Sequence, residues 1–273
     1  MKKRGEKNKR NAISCLNTYP NNRRPKTAQI TIFIILGIII IASVIAILFF
    51  SGKFKVTPET KLNPNQYAEK CIKDAVESSI QKALDNGGIM EPKLTVLYED
   101  DTYTFLCHSP NVYEFCENKY PMLKSVVEEE IRKDSKAKIE ACLLSLKTEF
   151  QKEGYSITDN PITKYEIELI PSAVSVKIDK KITLTKSGQT SSIENFNMQL
   201  SSPLYDLIEV ARDIINGETQ DCYYTYDLYM ESYPKFSITR VSYYESRIYE
   251  ITERISGKVF KFATKSCDLK GQY

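Results

Sequence analysis

The sequence of 273 residues contains no tryptophan and a single histidine, His108. One histidine excludes metal sites built from several histidines, and without any Cys-x-x-Cys pair the usual spacing of a structural zinc site is missing. No G-x-x-x-x-G-K-[ST] loop and no G-x-G-x-x-G turn is present, so nothing indicates nucleotide binding. The sequence therefore predicts no cofactor and no bound metal.

Motifs of hydrolases are missing as well. No G-x-S-x-G elbow occurs, and a serine triad would have to use His108. Ser135-x-x-Lys138 and Lys186-Ser187-Gly188 resemble two motifs of penicillin-binding proteins, but they lie too close together for that fold and lack the middle motif. The run Glu128-Glu129-Glu130 cannot converge on one substrate, because consecutive helix residues point about 100° apart. We predict that the chain is not an enzyme; the alternative is an envelope hydrolase whose carboxylates are assembled only by the fold.

Charge is distributed unevenly along the chain. Residues 1–28 carry nine basic side chains and one acidic one, whereas residues 51–273 carry 29 basic and 34 acidic ones. This acidic bulk argues against nucleic acid as a partner. Residues 29–50 lie between and include Ile30 to Phe50, 21 residues without a charge. At about 1.5 Å per residue such a helix spans a bilayer, and it has no polar face to suit a soluble helix.

The basic flank predicts the orientation of this transmembrane helix. Basic residues resist translocation, so residues 1–28 are expected to form a cytoplasmic tail and the C-terminal part to lie outside. The apolar region of a cleaved secretory signal is shorter than this run, which favours a permanent anchor. The lipid bilayer is thus a predicted partner, and the predicted location is the cell membrane, crossed once.

The cysteines divide in the same way. Cys15 alone precedes the apolar run, and six follow it: Cys71, Cys107, Cys116, Cys142, Cys222 and Cys267. Six is an even number, as three disulfides outside the cytoplasm require; six buried free thiols are the alternative. Six cysteines allow 15 connectivities. We predict Cys71 with Cys142 on the apolar faces of two helices, Cys107 with Cys116 across a short loop, and Cys222 with Cys267 in the last sheet.

The first half of the outer part predicts helices around one hairpin. Residues 51–64 are polar with two prolines and indicate a stalk, and residues 65–273 are predicted to form one domain, with a division near residue 217 as an alternative. A helix is expected from Asn63 to Gly87-Gly88, and helical spacing returns in two pieces between Pro121 and Gly154.

Strands are predicted in three places. Leu94 to Cys107 indicates a hairpin whose tip, Glu99-Asp100-Asp101, is expected to be a solvated turn, with a calcium site as the alternative. Four alternating runs between Tyr165 and Leu200 predict an antiparallel meander. A helix from Ser202-Pro203 to Gly217 follows, and the last strands lie between Phe236 and Thr264. The fold class is therefore α+β, an anchor helix followed by a domain of helices packed on antiparallel sheet.

Tyrosine is dense between residues 223 and 249. Its flat ring and polar tip suit protein interfaces, whereas the plainer interpretation is that tyrosine is a good strand former. The predicted interaction surface comprises Tyr223, Tyr224, Tyr226, Tyr229, Tyr243 and Tyr244. Its partners would be other envelope or surface proteins, and the sequence leaves the oligomeric state open.

The residues that lead into the apolar run, Lys26-Thr27-Ala28-Gln29-Ile30-Thr31, resemble the class III signal of archaeal type IV pilin-like proteins. The resemblance implies cleavage between Ala28 and Gln29 with the apolar helix retained. The chain departs from the family at Phe33, where pilins usually carry a glutamate that pairs with a neighbouring subunit.

A broader resemblance covers most of the chain. The order of the anchor, Cys71 with Gly87-Gly88, Cys142 and Phe260-x-Phe262-Ala263 is similar to that of uncharacterised single-pass membrane proteins of small-genome archaea. This resemblance implies an anchored extracytoplasmic domain and brings no known activity. We therefore predict a membrane-anchored interaction or structural protein of the cell surface, with pilin-like assembly as one form of it.

Overall fold

A computed structural model describes residues 35–43, 63–111 and 113–267. The chain divides into two compact units, Met1–Thr60 and Lys61–Tyr273. In the first unit, residues 35–43 form a helical segment, α1, with exposed isoleucine and leucine side chains. Most of the predicted membrane helix and the predicted processing site at Ala28 and Gln29 lie outside the described residues. Within the described ranges, no helix is both long enough and apolar enough to cross a membrane.

The described part of the second unit has four helices and ten strands. The helices are α2 (Pro64–Asp85), α3 (Leu123–Lys152), α4 (Leu204–Asp221) and α5 (Tyr226–Ser232). The strands are β1 (Thr95–Tyr98), β2 (Asp101–His108), β3 (Glu117–Asn118), β4 (Ser156–Asp159), β5 (Lys164–Ile170), β6 (Ala173–Lys186), β7 (Gln189–Ser201), β8 (Phe236–Tyr243), β9 (Ser246–Glu253) and β10 (Val259–Lys265). The α+β class predicted from the sequence is confirmed.

The first sheet joins the beginning of this unit to its end. Its strand order is β1-β2-β10-β9-β8, and β3 also pairs with β2. Strand β10 runs parallel to β2 and antiparallel to β9. The sheet is therefore mixed, whereas the sequence predicted antiparallel pairing. The difference arises because β2 pairs not only with its hairpin neighbour but also with a strand more than a hundred residues away.

The second sheet is built on the long strand β6. Strand β5 pairs with its first half, β4 pairs with its second half, and β7 pairs along its whole length. Two of the four predicted runs, one ending at Ile178 and one beginning at Ile182, are a single strand. Burial alternates without a break along β6, but the inward position between the two runs is Lys180, which is buried and pairs with Asp159 at 2.7 Å. The apolar alternation in the sequence therefore stops at this lysine, although the strand continues.

Helix α3 is one helix of 30 residues, not the two pieces predicted. The polar residue in its apolar stripe, Ser135, does not interrupt it. The Ser135 hydroxyl donates to the carbonyl of Ile131 and contacts the hydroxyl of Tyr165, each at 2.5 Å. A buried serine that finds such partners costs little, so the helix continues.

Helix α4 extends past Gly217, where the sequence predicted its end. A Cβ atom at residue 217 would lie 2.9 Å from Cδ2 of Tyr224 and 3.0 Å from the carbonyl oxygen of Tyr223. The glycine therefore permits a close approach of the next segment and does not cap the helix. The cap is Cys222, which takes the left-handed conformation with φ of 54°.

The structure joins the six cysteines in the three pairs predicted from the sequence. The pairs, with Cα–Cα distances, are Cys71–Cys142 at 5.7 Å, Cys107–Cys116 at 5.4 Å and Cys222–Cys267 at 5.4 Å. The first links α2 to α3, the second closes the loop between β2 and β3, and the third links the end of α4 to the residues after β10.

A polar cluster reinforces the contact between α2 and α3. Asp134 of α3 accepts hydrogen bonds from Ser79 at 2.6 Å, Lys82 at 3.2 Å and Lys138 at 2.5 Å. Burial alone would raise the pKa of Asp134, but these donors lower the pKa to about 2. The cluster therefore stabilises the fold above the ordinary pKa of 3.8, and this contribution is lost as the pH falls towards 2.

Candidate functional site

The first sheet curls until its two edge strands meet. Tyr98 of β1 and Tyr243 of β8 belong to opposite ends of the strand order, yet their ring centroids lie 5.1 Å apart. The concave face encloses a small second core of Tyr103, Phe105, Ile248 and Ala263, on which Val96, Tyr98 and Tyr243 pack. All of these residues belong to the sheet, so in the described part of the chain the sheet alone builds this core.

Polar contacts hold the curl in place. The Tyr103 hydroxyl of β2 donates to the carboxylate of Glu250 on β9 at 2.7 Å, and Lys261 pairs with Asp101 at 2.6 Å. Burial and the hydrogen bond to Glu250 raise the pKa of Tyr103 above its usual range. The hydroxyl therefore remains a donor at physiological pH, and the hairpin of β1 and β2 stays folded towards β8–β10.

A depression of about 390 Å³ opens at the end of the sheet where β2 and β10 finish. It is lined by Leu94, Thr95, Val96, Phe105, His108, Tyr244, Glu245, Ser246 and Lys265. Tyr244 lies in the two-residue turn between β8 and β9 and is 90% exposed. On the rim, Lys265 pairs with Glu245 at 2.7 Å. The depression thus combines aromatic walls with a charged rim.

The disulfide-closed loop leaves the sheet beside this depression. Its first residues are tied to β10, because the backbone N–H of Ser109 donates to the carbonyl of Lys265 at 2.8 Å. Tyr113 and Phe115 in this loop are 75% and 58% exposed. We call Tyr113, Phe115 and Tyr244, together with the depression, the aromatic end.

The six tyrosines of the predicted interaction surface fall into two groups. Tyr243 belongs to the concave core and Tyr244 to the aromatic end. The other group surrounds α5 and comprises Tyr223, Tyr224, Tyr226 and Tyr229. The guanidinium of Arg240 lies 4.7 Å from the ring centroid of Tyr223 and 5.0 Å from that of Tyr226. Tyr224, Tyr226 and Tyr229 pack partly buried against the main core, whereas Tyr223 is exposed and contacts Arg240. These contacts indicate a packing role between α4, α5 and β8.

A fully buried carboxylate lies on the opposite, helix-covered face of the first sheet. Glu218 of α4 accepts a hydrogen bond from the Tyr249 hydroxyl at 2.5 Å and pairs with Arg247. Arg247 also donates to the carbonyl of Cys267 at 3.0 Å. Burial raises the pKa of Glu218, although the charge of Arg247 and the Tyr249 hydroxyl oppose part of this shift. Its carboxylate is committed to these partners, so this network is structural.

The carboxylates of the glutamate run on α3 point to different places. Glu128 accepts the backbone N–H of Leu169 at 2.8 Å, and Glu130 accepts that of Met90 at 2.9 Å. Glu129 forms ion pairs on the helix surface. The three side chains therefore connect α3 to its neighbours separately and do not share a cleft.

The serine and lysine singled out on α3 do not meet either. The hydroxyl of Ser135 contacts Tyr165, whereas the ammonium of Lys138 binds Asp134. His108 lines the depression at the aromatic end, where burial lowers its pKa and the nearby charges of Lys265 and Lys119 lower it further. These positions form no serine–lysine or serine–histidine pair with one another.

The acidic hairpin tip is a tight turn. Glu99 and Asp100 have φ values of 47° and 68°, and Asp101 pairs with Lys261 of β10. Across residues 35–43, 63–111 and 113–267, no group of three or more histidine, cysteine, aspartate or glutamate side chains is placed to hold a metal ion. The geometry of the tip is that of a solvated turn.

Comparison of the chain with protein-family models, with curated proteins and with solved structures finds no match. The functional interpretation therefore rests on the geometry of the chain itself.

Proposed function

We propose that the chain is a membrane-anchored extracytoplasmic protein whose aromatic end binds another protein of the cell surface or envelope. The observation that carries this proposal is the position of three exposed aromatic side chains at one end of a disulfide-linked sheet. Exposed tyrosine and phenylalanine rings are typical anchors of protein interfaces, because they bury a large area for few rotatable bonds.

The aromatic end is also held in place before any partner arrives. Tyr244 lies in a two-residue hairpin turn, and the loop of Tyr113 and Phe115 is closed by the disulfide of Cys107 and Cys116. Ordering a flexible loop costs free energy on binding, and such preorganisation avoids that cost. The ion pair of the rim supplies the polar border that protein interfaces commonly have.

Anchoring is tested by alkaline extraction and by counting thiols. We expect the full chain to remain in the membrane fraction after an alkaline wash, and a variant without residues 29–50 to be released. The intact mass should show six thiols that react only after reduction, since the cysteines after the anchor would form disulfides outside the cytoplasm. Loss of residues 1–28 would add pilin-type processing to the proposal, whereas six thiols reactive before reduction would contradict the location.

The binding role is tested by photo-crosslinking in intact cells. A benzoylphenylalanine residue at Tyr244 should form a discrete adduct with another protein, whereas the same residue at Ile255 should not. The two positions match in exposure, at 90% and 89%, but Ile255 lies in the turn at the opposite end of β9. Removing Tyr113 and Phe115 together should lower the adduct yield at least tenfold, since two anchors contribute about 2 kcal/mol or more. Equal adducts from both positions, or none from Tyr244, would contradict the role.

A further inference from the structure

The second sheet has a long open edge. Strand β7 has 13 residues and pairs with β6 on one side. No strand in the described ranges pairs with its other side. A groove of about 1080 Å³ runs beside this edge, between Ser192–Ser201 of β7 and the residues of α2 from Asn65 to Glu77.

The register shows which backbone groups face the groove. Ser202 donates its N–H to the carbonyl of Ser172 at 3.1 Å, so the pair of Ser202 and Ser172 is a hydrogen-bonded one. In the last part of β7, every second residue before Ser202 therefore also bonds to β6. Hydrogen-bonded and non-bonded pairs alternate in an antiparallel ladder. Asn197, Gln199 and Ser201 therefore direct their N–H and C=O groups away from β6 and towards the groove.

Between Phe196 and Ser201, this edge lacks the devices that keep strands from pairing. Natural sheet edges are protected by lysine, proline, inward charges or β-bulges. The bulge of β7 lies before this stretch, at Asn195, where φ is 56° and the register with β6 shifts. Strand β7 contains no lysine, arginine or proline, and its single charged residue, Glu194, pairs with Lys181 of β6. The stretch from Phe196 to Ser201 is uncharged.

We propose that β7 is an association surface for a second copy of this chain, whose own β7 pairs with it in antiparallel order. With a two-fold axis at Gln199, residue 197 faces residue 201 of the second copy, and all three outward-facing residues become hydrogen-bonded pairs. On the other face, Met198 lies beside a second copy's Leu200. Polar side chains thus meet polar ones and apolar side chains meet apolar ones.

Charge favours a second copy over a charged peptide. Symmetric pairing of the uncharged stretch brings no like charges together across the axis. On the opposite wall of the groove, α2 neutralises much of its charge within itself, since Lys70 pairs with Asp74 and Lys73 with Glu77. This side of the groove therefore presents little net charge that could bind a charged peptide. The surface shares no residue with the aromatic end, so it stands whether or not the proposed function holds.

The first test is a disulfide across the two-fold axis, in the full-length chain in its membrane. Cys15 is first replaced by serine. Gln199→Cys should then give a covalent product of twice the chain mass on mild oxidation, because the two side chains face each other. Ser191→Cys is the matched control, exposed on the same strand but eight residues from the axis, and it should give none. The absence of a product from Gln199→Cys would overturn the proposal. A product of any other mass would also overturn it, because the edge would then pair with a different protein.

The second test uses opposite charges at the axis. Gln199→Lys and Gln199→Glu should each reduce co-purification of two differently tagged copies by about threefold to fivefold, because like charges directly opposite on paired strands repel. Mixing the lysine variant with the glutamate variant should restore it. Failure of the mixture to restore association would contradict antiparallel pairing at this position.

Discussion

Replacing Glu218 with alanine is expected to destabilise the second unit by about 3 kcal/mol, because the change leaves the largely enclosed guanidinium of Arg247, 17% exposed, without its carboxylate. The Tyr249 hydroxyl, which is also buried, would lose its acceptor. Urea unfolding of the full chain, followed by pulse proteolysis under oxidising conditions, measures the loss. Glu209→Ala is the matched control, since Glu209 lies on the same helix and pairs with the exposed Arg212; it should cost about 0.5 kcal/mol or less. Equal losses for the two variants would show that the buried network contributes little.

The same carboxyl predicts a dependence of stability on pH. Its pKa in the folded protein is raised above the ordinary 4.5, so the folded state holds the proton of Glu218 to a higher pH than the unfolded state does. Its contribution is therefore fully present below pH 4.5 and is lost as the pH rises through the raised pKa. Glu218→Gln removes this titration, so the difference in unfolding free energy between wild type and Glu218→Gln should change across that window. A difference that is constant with pH would contradict the raised pKa.

Elements fixed by local chemistry were predictable from the sequence. Helix α2 begins after Asn63, whose side chain accepts the backbone N–H of Asn65 at 3.0 Å, and Pro64 occupies its first turn. The helix ends before Gly87 and Gly88, which have φ values of 64° and 86°. Each signal acts within a few residues of the element that it bounds, so one sequence is enough to read it.

The candidate site was predictable only in part, because it depends on contacts that are distant in the sequence. Tyr98 meets Tyr243 only because β10 inserts beside β2 and the sheet then curls. Tyr243 and Arg240 lie three residues apart on β8 and therefore point to opposite faces, which divides the predicted tyrosine surface. Counting tyrosines along the sequence detects neither effect.

The buried Glu218 was missed for a local reason. The apolar stripe of α4 includes Ala211, Ile214 and Ile215, and Glu218 continues it four residues after Ile214. Ending the helix at Gly217 placed this glutamate in a loop, where a charge needs no partner. The sequence did contain a signal, namely a charged residue at the helical spacing of an apolar stripe. Using this signal would have required the interpretation that Gly217 permits close packing and does not end the helix.

Removing the disulfide between α2 and α3 is expected to be the other large effect. The variant Cys71→Ala with Cys142→Ala should lose about 4 kcal/mol in unfolding free energy, because this bridge closes a loop of 71 residues and restricts the unfolded chain accordingly. Alanine is preferred to serine because Cys71 is buried and a hydroxyl there would lack a partner. The same urea and proteolysis measurement applies.

The short bridge provides the comparison that separates loop closure from local packing. Cys107→Ala with Cys116→Ala opens a bridge across nine residues and should cost about 2.5 kcal/mol by the same loop-length relation, although both of these cysteines are buried. If local packing alone mattered, the loss of stability would be larger for Cys107 and Cys116, which are more completely buried than Cys71 and Cys142. The Asp134 cluster remains between α2 and α3 in the first variant, so that contact is weakened and not abolished. A larger loss for the short bridge would show that native-state packing, and not the restricted unfolded chain, dominates the contribution of these disulfides.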